Sequence, residues 1–295
     1  MLSGKQSQIH HGFKITLTIS IAVFFTMTSA YSANLRVVVL DVGTGQSVLL
    51  ENDGHGLLID TGLAEYSPLV LSRMEDHGVR DLDYLVLSHL HPDHAAGYSQ
   101  IREAWLETHV LGNCHLPDNL HSDEEDFFWD THSALSRDSL YDCLAAGDVL
   151  FWQGYEIQVL WGGTDRKKTL NHNSLVLLLQ TAQGGSLLVM GDVDKSVEKS
   201  LTPVLQSLLR PSGAGVTLYV ASHHASAAGT DPEFLSVVRP LVSMVSVGKN
   251  NPFGYPSETS VRILDKYSGI VLQTEREGEI CFMLGSTAIA SCMDR

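Results

Sequence analysis

The chain has 295 residues, of which 44% are hydrophobic and 18% are charged. This composition is typical of a folded globular protein and excludes disordered, collagen-like and coiled-coil chains. The formal net charge of −15 excludes a uniformly basic surface that would bind nucleic acid through counterion release. A bound polyanion would need local cations, such as metal ions or a few basic side chains.

Residues 1–30 have the pattern of a secretory signal peptide. Lys5 and Lys14 precede an uncharged apolar stretch, 15–30, which ends in small residues. The stretch is shorter than the roughly 20 residues that a transmembrane helix needs, which makes a retained anchor the weaker interpretation. We therefore expect a periplasmic or secreted protein that has no stable membrane anchor after cleavage.

Three apolar stretches of strand length open the predicted domain, which spans 34–295. They cover 35–42, 46–51 and 56–60, and the Gly-rich turns between them predict an antiparallel meander. Helix and strand then alternate along the chain. This part has helical spacing over 68–77 and 95–106, a nearly all-apolar strand over 82–88 and a further element from Val110.

The periodic pattern breaks down between residues 113 and 142. This segment contains the acidic run 122–126, Ser-Asp-Glu-Glu-Asp, and then the aromatic run 127–129. We expect an acidic insertion that forms a loop or lid. Its aromatic side chains could cap an apolar ligand or pack the insertion onto the core.

The second half of the chain repeats the order of elements of the first half. Strand patterns at 149–152, 155–160, 174–181 and 186–190 predict a second meander. The elements after it are predicted helices over 193–209, 231–238 and 257–267 and predicted strands over 217–221 and 241–247. This repetition predicts an α/β fold in which two mixed sheets pack face to face and helices cover their outer sides, an αββα sandwich.

Four cysteines remain after the predicted cleavage: Cys114, Cys143, Cys281 and Cys292. An even number of cysteines in an exported protein permits disulfides, and four cysteines allow three connectivities. We expect the two pairs that are local in sequence, Cys114–Cys143 and Cys281–Cys292. None of the four lies in a metal-finger spacing, so we predict no catalytic role for cysteine.

The strongest chemical signal is the run 88–94, Ser-His-Leu-His-Pro-Asp-His, which directly follows a predicted strand. A lone histidine is usually structural, but each unpaired polar group of such a cluster would cost about 1–3 kcal/mol on burial. A metal would satisfy these groups together. His89 and His91 lie two residues apart and can chelate one ion, whereas Asp93 and His94 suit a second. Imidazole and carboxylate favour zinc, manganese or iron over magnesium and calcium.

The run 88–94 resembles the HxHxDH motif of the metallo-β-lactamase superfamily. Segments 40–47 and 57–62 are similar to the opening strands of this family, and 190–192, Met-Gly-Asp, is similar to its metal-bridging motif. Within the superfamily, the likeness is greatest to the C-terminal hydrolase domain of the competence DNA-uptake channel protein and its stand-alone relatives. The segments that carry this closer likeness are 40–47, 171–176, 220–226 and 250–256.

The resemblance implies a metallo-β-lactamase-like domain over 34–295 that holds two divalent metal ions, zinc or manganese. The metal ligands that it implies are His89, His91, Asp93, His94, Asp192 and His223. Asp192 would bridge the two ions, because a carboxylate offsets the repulsion between two cations at close range. Asp60 would support the metal loop. Asp41 is a second candidate for such support, with a turn carboxylate as the alternative.

The implied reaction is hydrolysis by a water molecule that the metal ions activate. Asp93 would orient this water, and His224 would contact the substrate or protonate the leaving group. Two departures from the family pattern stand out. Only His172 within 171–173 could act as a strong metal ligand, with a solvated histidine as the alternative, and Tyr255 stands where relatives commonly have histidine.

The leading function is phosphodiester hydrolysis, of DNA or nucleotides. Net charge disfavours a long nucleic-acid footprint, because the acidic run 122–126 would repel a polyanion and only 166–168 and Lys249 offer local basic groups. A lactone or β-lactam would suit this charge better, although Asp192 replaces the cysteine of many antibiotic-hydrolysing members. The non-enzymatic alternative is an exported metal-binding protein on a hydrolase scaffold.

Overall fold

A computed structural model describes residues 35–209, 215–285 and 289–292. The predicted signal peptide, 1–30, lies outside the described residues. All described residues belong to one unit, Ser32–Arg295. Within the described ranges, no helix is both long and apolar enough to cross a membrane.

The strands, in chain order, are β1 (Leu35–Val39), β2 (Val48–Asn52), β3 (His55–Ile59), β4 (Asp81–Leu87), β5 (His109–Gly112), β6 (Tyr141–Cys143), β7 (Val149–Trp152), β8 (Tyr155–Trp161), β9 (Val176–Gln180), β10 (Ser186–Val189), β11 (Leu218–Val220), β12 (Val242–Val245), β13 (Ile270–Gln273), β14 (Ile280–Leu284) and β15 (Ile289–Ser291). They form two sheets. The first has eight strands in the order β15-β14-β1-β2-β3-β4-β5-β6, and the second has seven in the order β13-β12-β11-β10-β9-β8-β7.

The helices are α1 (Ser67–Asp76), α2 (Pro92–Ala95), α3 (Tyr98–Ala104), α4 (Glu125–Leu135), α5 (Lys195–Leu209), α6 (Pro232–Val238), α7 (Glu258–Tyr267) and α8 (Thr274–Glu277). Short 3-10 helices cover Ala64–Tyr66, Asn171–Asn173 and Ser222–Ala225. The predicted helices 68–77, 193–209, 231–238 and 257–267 are confirmed to within two residues at each end. The helical pattern 95–106 is divided between α2 and α3.

Both sheets start antiparallel and continue parallel. Strands β1, β2 and β3 pair antiparallel, as the first meander predicts, and β3 to β6 then pair parallel. In the second sheet β7 to β10 are antiparallel and β10 to β13 are parallel. Parallel strands end at the same edge of a sheet, so the loops after β3, β4, β10 and β11 can meet there.

The core has three apolar layers. Side chains from the facing sides of the two sheets, among them Val37 and Leu187, form the central layer. Helices α1 and α3 cover the outer side of the first sheet, and α5, α6 and α7 cover the outer side of the second. This arrangement confirms the predicted αββα sandwich. Adjacent residues of one strand, such as Leu187 and Leu188, lie in different layers because successive side chains of a strand point to opposite faces of the sheet.

Two parts of the fold differ from expectation. The segment 113–142 is not only a loop, because it contains α4, whose residues Phe128, Thr131 and Leu135 are buried on one face. The helical spacing in this segment is hidden among charged residues. The sequence patterns also do not predict strands β13 to β15, although β14 pairs directly with β1.

The expected disulfide connectivity is confirmed. Cys114 pairs with Cys143, and Cys281 pairs with Cys292. The first disulfide joins the two ends of the segment that carries α4. The second joins β14 to the residue that follows β15.

Candidate metal centre

The residues of the predicted motifs follow four strands whose ends meet at one edge of the sandwich. The strand β4 ends at Leu87 and leads into His89, and the strand β3 ends directly before Asp60. From the second sheet, β10 leads through Gly191 to Asp192, and β11 leads to the loop with His224. Gly191 has a positive φ of 53°, which glycine adopts without strain, and this turn directs Asp192 into the site.

One cluster of ligand atoms contains His89, His91 and Asp192, whose donor atoms lie within 4.8 Å of one another. Nε2 of His89 is 3.0 Å from Nδ1 of His91. His89 is 1% exposed, so its imidazole has little access to bulk water. The structure therefore brings together the two histidines that the sequence predicted to chelate one ion.

A second cluster contains Asp93, His94, Asp192 and His224, again within 4.8 Å of one another. Nε2 of His94 lies 3.1 Å from Asp192 Oδ1 and 3.3 Å from His224 Nε2. Nε2 of His224 lies 3.5 Å from Asp93 Oδ2. Asp192 belongs to both clusters, so its carboxylate could serve a cation at either cluster.

Hydrogen bonds hold the outward nitrogens of the second cluster. Nδ1 of His94 lies 2.7 Å from Asp60 Oδ2, and Nδ1 of His224 lies 2.8 Å from the carbonyl oxygen of Ser246. An oxygen acceptor at Nδ1 fixes the proton there, so each Nε2 is left with its lone pair toward the cluster. The predicted support of the metal loop by Asp60 is confirmed.

Asp60 is also held in place itself. Its Oδ1 accepts a hydrogen bond from the backbone N–H of Ser88 at 2.7 Å, and its Oδ2 accepts from Gln46 Nε2 at 2.9 Å. Asp60 is fully buried with a positive φ of 60°, a conformation that Asp tolerates better than most residues. Among the described residues, no hydrogen bond joins Asp41 to an imidazole, so the structure does not bring this second candidate into the site.

The first cluster has its own orienting partners. Nδ1 of His89 lies 3.1 Å from Ser88 Oγ. Nε2 of His91 lies 3.0 Å from Glu124 Oε1, so that Nδ1 of His91 faces His89. Sequence reasoning missed this role of Glu124 and treated the acidic run 122–126 only as a source of repulsion. No local signal identifies it, because Glu124 is 33 residues from His91 along the chain.

The buried charges of the site shift one another's pKa. Burial lowers the pKa of His94, but the surrounding carboxylates, Asp192 first, outweigh burial and hold it well above its ordinary value. The pKa of His224 is raised for the same reason. Burial raises the pKa of Asp192, yet His94 and His224 hold it well below its ordinary value. Burial, reinforced by the neighbouring imidazoles, holds the pKa of His89 well below its ordinary value.

These contacts fit a divalent metal. Ligand atoms of Asp93, Asp192, His94 and His224 lie within 4.8 Å of one another, an arrangement that needs positive charge, either from protons on the imidazoles or from a bound cation. Asp192 Oδ1 is buried, and its near neighbours among the described residues are the imidazoles of His94, at 3.1 Å, and His224, at 3.6 Å. Imidazole and carboxylate donors are those that zinc and manganese accept. The residues present therefore fit the predicted cofactor class.

The positions of His223 and His224 differ from the roles predicted for them. His224 lies within the second cluster, whereas His223 belongs to neither cluster and its Nε2 is 3.8 Å from Asp192 Oδ2. Nε2 of His223 instead lies 3.3 Å from the Tyr255 hydroxyl and 3.4 Å from Asn171 Nδ2. The candidate ligand atoms of the described residues thus include His224 instead of the predicted His223.

The backbone of this loop explains the exchange. His223, His224 and Ala225 have φ values of 48°, 51° and 55°, a left-handed conformation that costs non-glycine residues about 1–3 kcal/mol each. The unusual turn rotates the two adjacent side chains away from an extended arrangement. Buried Glu198 on α5 holds the loop, since it accepts hydrogen bonds from Ser222 Oγ and from the backbone N–H of Thr230.

The structure gives the remaining candidates other partners. Nδ1 of His172 lies 2.8 Å from Asp194 Oδ2, and His172 belongs to neither cluster of ligand atoms. Asn173 is buried and its side-chain amide donates to the carbonyl oxygens of Asp165 and Thr169. Tyr255 lies at the site, where burial and then the nearby carboxylates raise its pKa.

Comparison with known families agrees with this geometry. The family model of the metallo-beta-lactamase superfamily matches residues 40–249, which is more than half of the chain. The chain therefore belongs to the metallo-β-lactamase superfamily.

The curated relatives that it matches include competence and recombination proteins. The chain is 25% identical to ComE operon protein 3 of Bacillus subtilis over 267 residues, which cover 84% of this chain and 33% of that protein. It is 27% identical to Recombination protein 2 of Haemophilus influenzae, with 83% and 28% covered, and 28% identical to Competence protein ComA of Neisseria gonorrhoeae, with 84% and 32% covered. The chain thus spans about a third or less of the length of each of these relatives.

Solved structures support the fold. The metallo-beta-lactamase fold protein YhfI from Bacillus subtilis superimposes with a TM-score of 0.51 at 14% identity, with 81% of this chain and 96% of that chain covered. A metallo hydrolase from the archaeon Ignicoccus hospitalis superimposes with a TM-score of 0.52 at 15% identity, with 84% and 98% covered. At these identities the likeness concerns the fold alone.

Proposed function

We propose that the protein is an exported, metal-dependent phosphodiester hydrolase. The observation that carries this proposal is the pair of ligand clusters that share Asp192, because such a pair suits two cations that act on one phosphate. Bound divalent ions would lower the pKa of a bound water molecule. Their positive charge would also stabilise the negative charge that develops during hydrolysis.

The protein side chains have separate tasks in this proposal. His89, His91, His94 and His224 hold the ions together with Asp192. Asp93 lies at the edge of the second cluster and is 24% exposed at its side chain, so it can ligate and also orient a water molecule. His223 contacts Tyr255 and Asn171 beside the cluster, where it can hydrogen-bond the substrate.

An anionic substrate is favoured by a cavity beside the first cluster. The cavity has a volume of about 340 Å³ and is lined by His91, His121, Lys167 and Lys168, together with two leucines and four other polar residues. The two lysines supply local positive charge in a chain whose formal net charge is −15. A short phosphodiester can use this charge, whereas a neutral lactone or β-lactam gains little from it.

One residue of the acidic run lies at this cavity. Glu124 lines the cavity, and its carboxylate is hydrogen-bonded to His91. The relatives are named for competence and recombination, which is consistent with a substrate drawn from DNA or its fragments. Net charge favours a nucleotide or short strand over a long duplex.

Export is supported by the two disulfides and the signal-like sequence 1–30. Disulfides form and persist mainly in oxidising compartments such as the periplasm. Location in the periplasm or outside the cell can be tested by fractionating cells that express the full chain and by sequencing the N-terminus of the exported form.

Activity can be tested on protein purified after export and loaded with zinc or manganese. We expect nearly two ions per chain and cleavage of bis(p-nitrophenyl) phosphate, with His91→Ala removing most of this activity while circular dichroism stays unchanged. Turnover of nitrocefin or a lactone without phosphodiester cleavage would instead show that the site hydrolyses β-lactams or lactones. Metal binding without turnover of any of these substrates would instead support the non-catalytic alternative.

A further inference from the structure

Two aromatic rings, those of Tyr255 and Phe253, continue outward from the ring of His224 in the second cluster. The ring of Tyr255 is nearly parallel to that of His224, with an angle of 12° and centroids 6.2 Å apart. The ring of Phe253 in turn is nearly parallel to that of Tyr255, with an angle of 24° and centroids 5.6 Å apart. A series of roughly parallel rings therefore leads from the ligand cluster to Phe253.

Phe253 is 62% exposed, whereas the ring of Tyr255 is half-buried. A single exposed apolar side chain is common and needs no explanation by itself. Phe151 is 67% exposed but lines a different cavity, with residues such as His109 and Gln153, to which no ligand of the two clusters contributes. The position of Phe253 beside a ring that contacts the ligand cluster is what distinguishes it.

The loop that carries Phe253 is held in shape by one side chain. Asn251 Oδ1 accepts hydrogen bonds from the backbone N–H groups of Phe253 at 3.2 Å and Tyr255 at 3.0 Å. The Asn251 amide group donates to the carbonyl oxygens of Gly248 and Tyr255. Because the loop is fixed before any ligand binds, an exposed ring on it can bind a flat group with little loss of entropy.

We propose that Phe253 is a stacking platform for a nucleobase of the substrate and determines specificity for nucleotide phosphodiesters. This inference rests on the proposed function, because the scissile phosphate would lie at the ligand clusters while the base stacks on the exposed ring. Aromatic side chains bind bases through their faces with little dependence on sequence. The platform thus selects a nucleotide over a phosphodiester that has only aliphatic substituents.

The test compares two substrates with the same leaving group. Thymidine 5′-(p-nitrophenyl) phosphate carries a base, whereas methyl p-nitrophenyl phosphate does not, so any stacking of the nitrophenyl ring cancels. For the metal-loaded protein we expect Phe253→Ala to raise KM for the thymidine ester by roughly 5- to 50-fold and to leave the methyl ester nearly unchanged. Phe253→Trp should restore the preference, and Phe151→Ala is the matched control for removal of an exposed ring.

A second readout does not depend on turnover. Calorimetry should show that Phe253→Ala weakens binding of thymidine 5′-monophosphate by a similar factor but not binding of methyl phosphate. Equal loss on both substrates, or an unchanged preference for the thymidine ester, would overturn the platform while leaving the hydrolase proposal intact. If the natural protein cleaves neither substrate, the proposed function fails, and the calorimetric comparison alone decides whether Phe253 binds the base.

Discussion

Oε1 of Glu124 lies 3.0 Å from Nε2 of His91 and connects the acidic segment to the predicted metal ligands. The segment is anchored on both sides, by the disulfide Cys114–Cys143 and by an ion pair of 2.7 Å between Arg166 and Asp118. Part of the stretch expected to be a loop or lid therefore helps to build the ligand cluster, because its carboxylate determines which nitrogen of His91 faces His89.

We expect Glu124→Ala to weaken metal binding by about 10- to 100-fold, because loss of an orienting carboxylate frees the imidazole of His91 to rotate. Glu124→Gln keeps an oxygen acceptor and should lose less. Competition with a chromophoric chelator measures the affinity. Glu125→Ala, which removes an exposed carboxylate one residue further along, is the control and should bind metal like the natural protein. Equal affinities for all variants would contradict the orienting role.

The exchange of roles between His223 and His224 is directly testable. His224→Ala should lower the metal content of the purified protein toward one ion per chain, because it removes a donor from the second cluster. His223→Ala should keep both ions and lose activity mainly in kcat. Elemental analysis after dialysis gives the metal content. The sequence-based assignment would be restored if His223→Ala lost metal and His224→Ala did not.

The cavity lysines should contribute to binding of anionic substrates. Replacing Lys167 and Lys168 together by Ala is expected to raise KM for a dinucleotide about fivefold with little change in kcat, since two exposed charges contribute on the order of 1 kcal/mol. The difference should shrink at about 0.5 M salt, where exposed charges are screened. Lys266→Ala on α7 is the control. A salt-independent effect would point to lost packing instead of lost charge.

Buried Glu198 should make the stability of the protein depend on pH. Burial, opposed by its hydrogen bonds from Ser222, Asp231 and Thr230, raises its pKa from 4.5 to about 6. Because the folded state favours the protonated form, the contribution of this group is fully present below pH 4.5 and is lost as the pH rises through about 6. The loss amounts to about 2 kcal/mol by pH 7.

Urea denaturation of Glu198→Gln and the natural protein at pH 4.5 and 7 tests this effect. The stability of the variant relative to the natural protein should increase by about 2 kcal/mol between the two pH values, whatever constant offset the amide introduces. Glu233→Gln, an exposed position on α6, should show no such change. A relative stability of Glu198→Gln that is independent of pH would contradict the raised pKa.

The sequence predicted most of the fold because its patterns are local. Apolar alternation and helical spacing identified β1 to β4 and α5 to α7, and the repeated order of elements led to two facing sheets. The sequence did not predict strands β14 and β15, because short apolar segments of this kind have no distinctive pattern. Their place in the sheet depends on pairing between distant segments, since β14 pairs with β1 and β15 pairs with β14.

The candidate site likewise combines features that local sequence patterns predict with features that depend on distant segments. The amino-acid sequence by itself determined the residue types of the ligand set, since three imidazoles and a carboxylate close together after a strand are typical of a metal site. It also determined that Asp192 follows another strand. Only the tertiary structure decided that His224 rather than His223 joins the second cluster of ligand atoms, and that Glu124 orients His91. The reason is physical: a side chain's direction depends on backbone torsions and on partners supplied by distant segments, and neither is encoded in spacing along the chain.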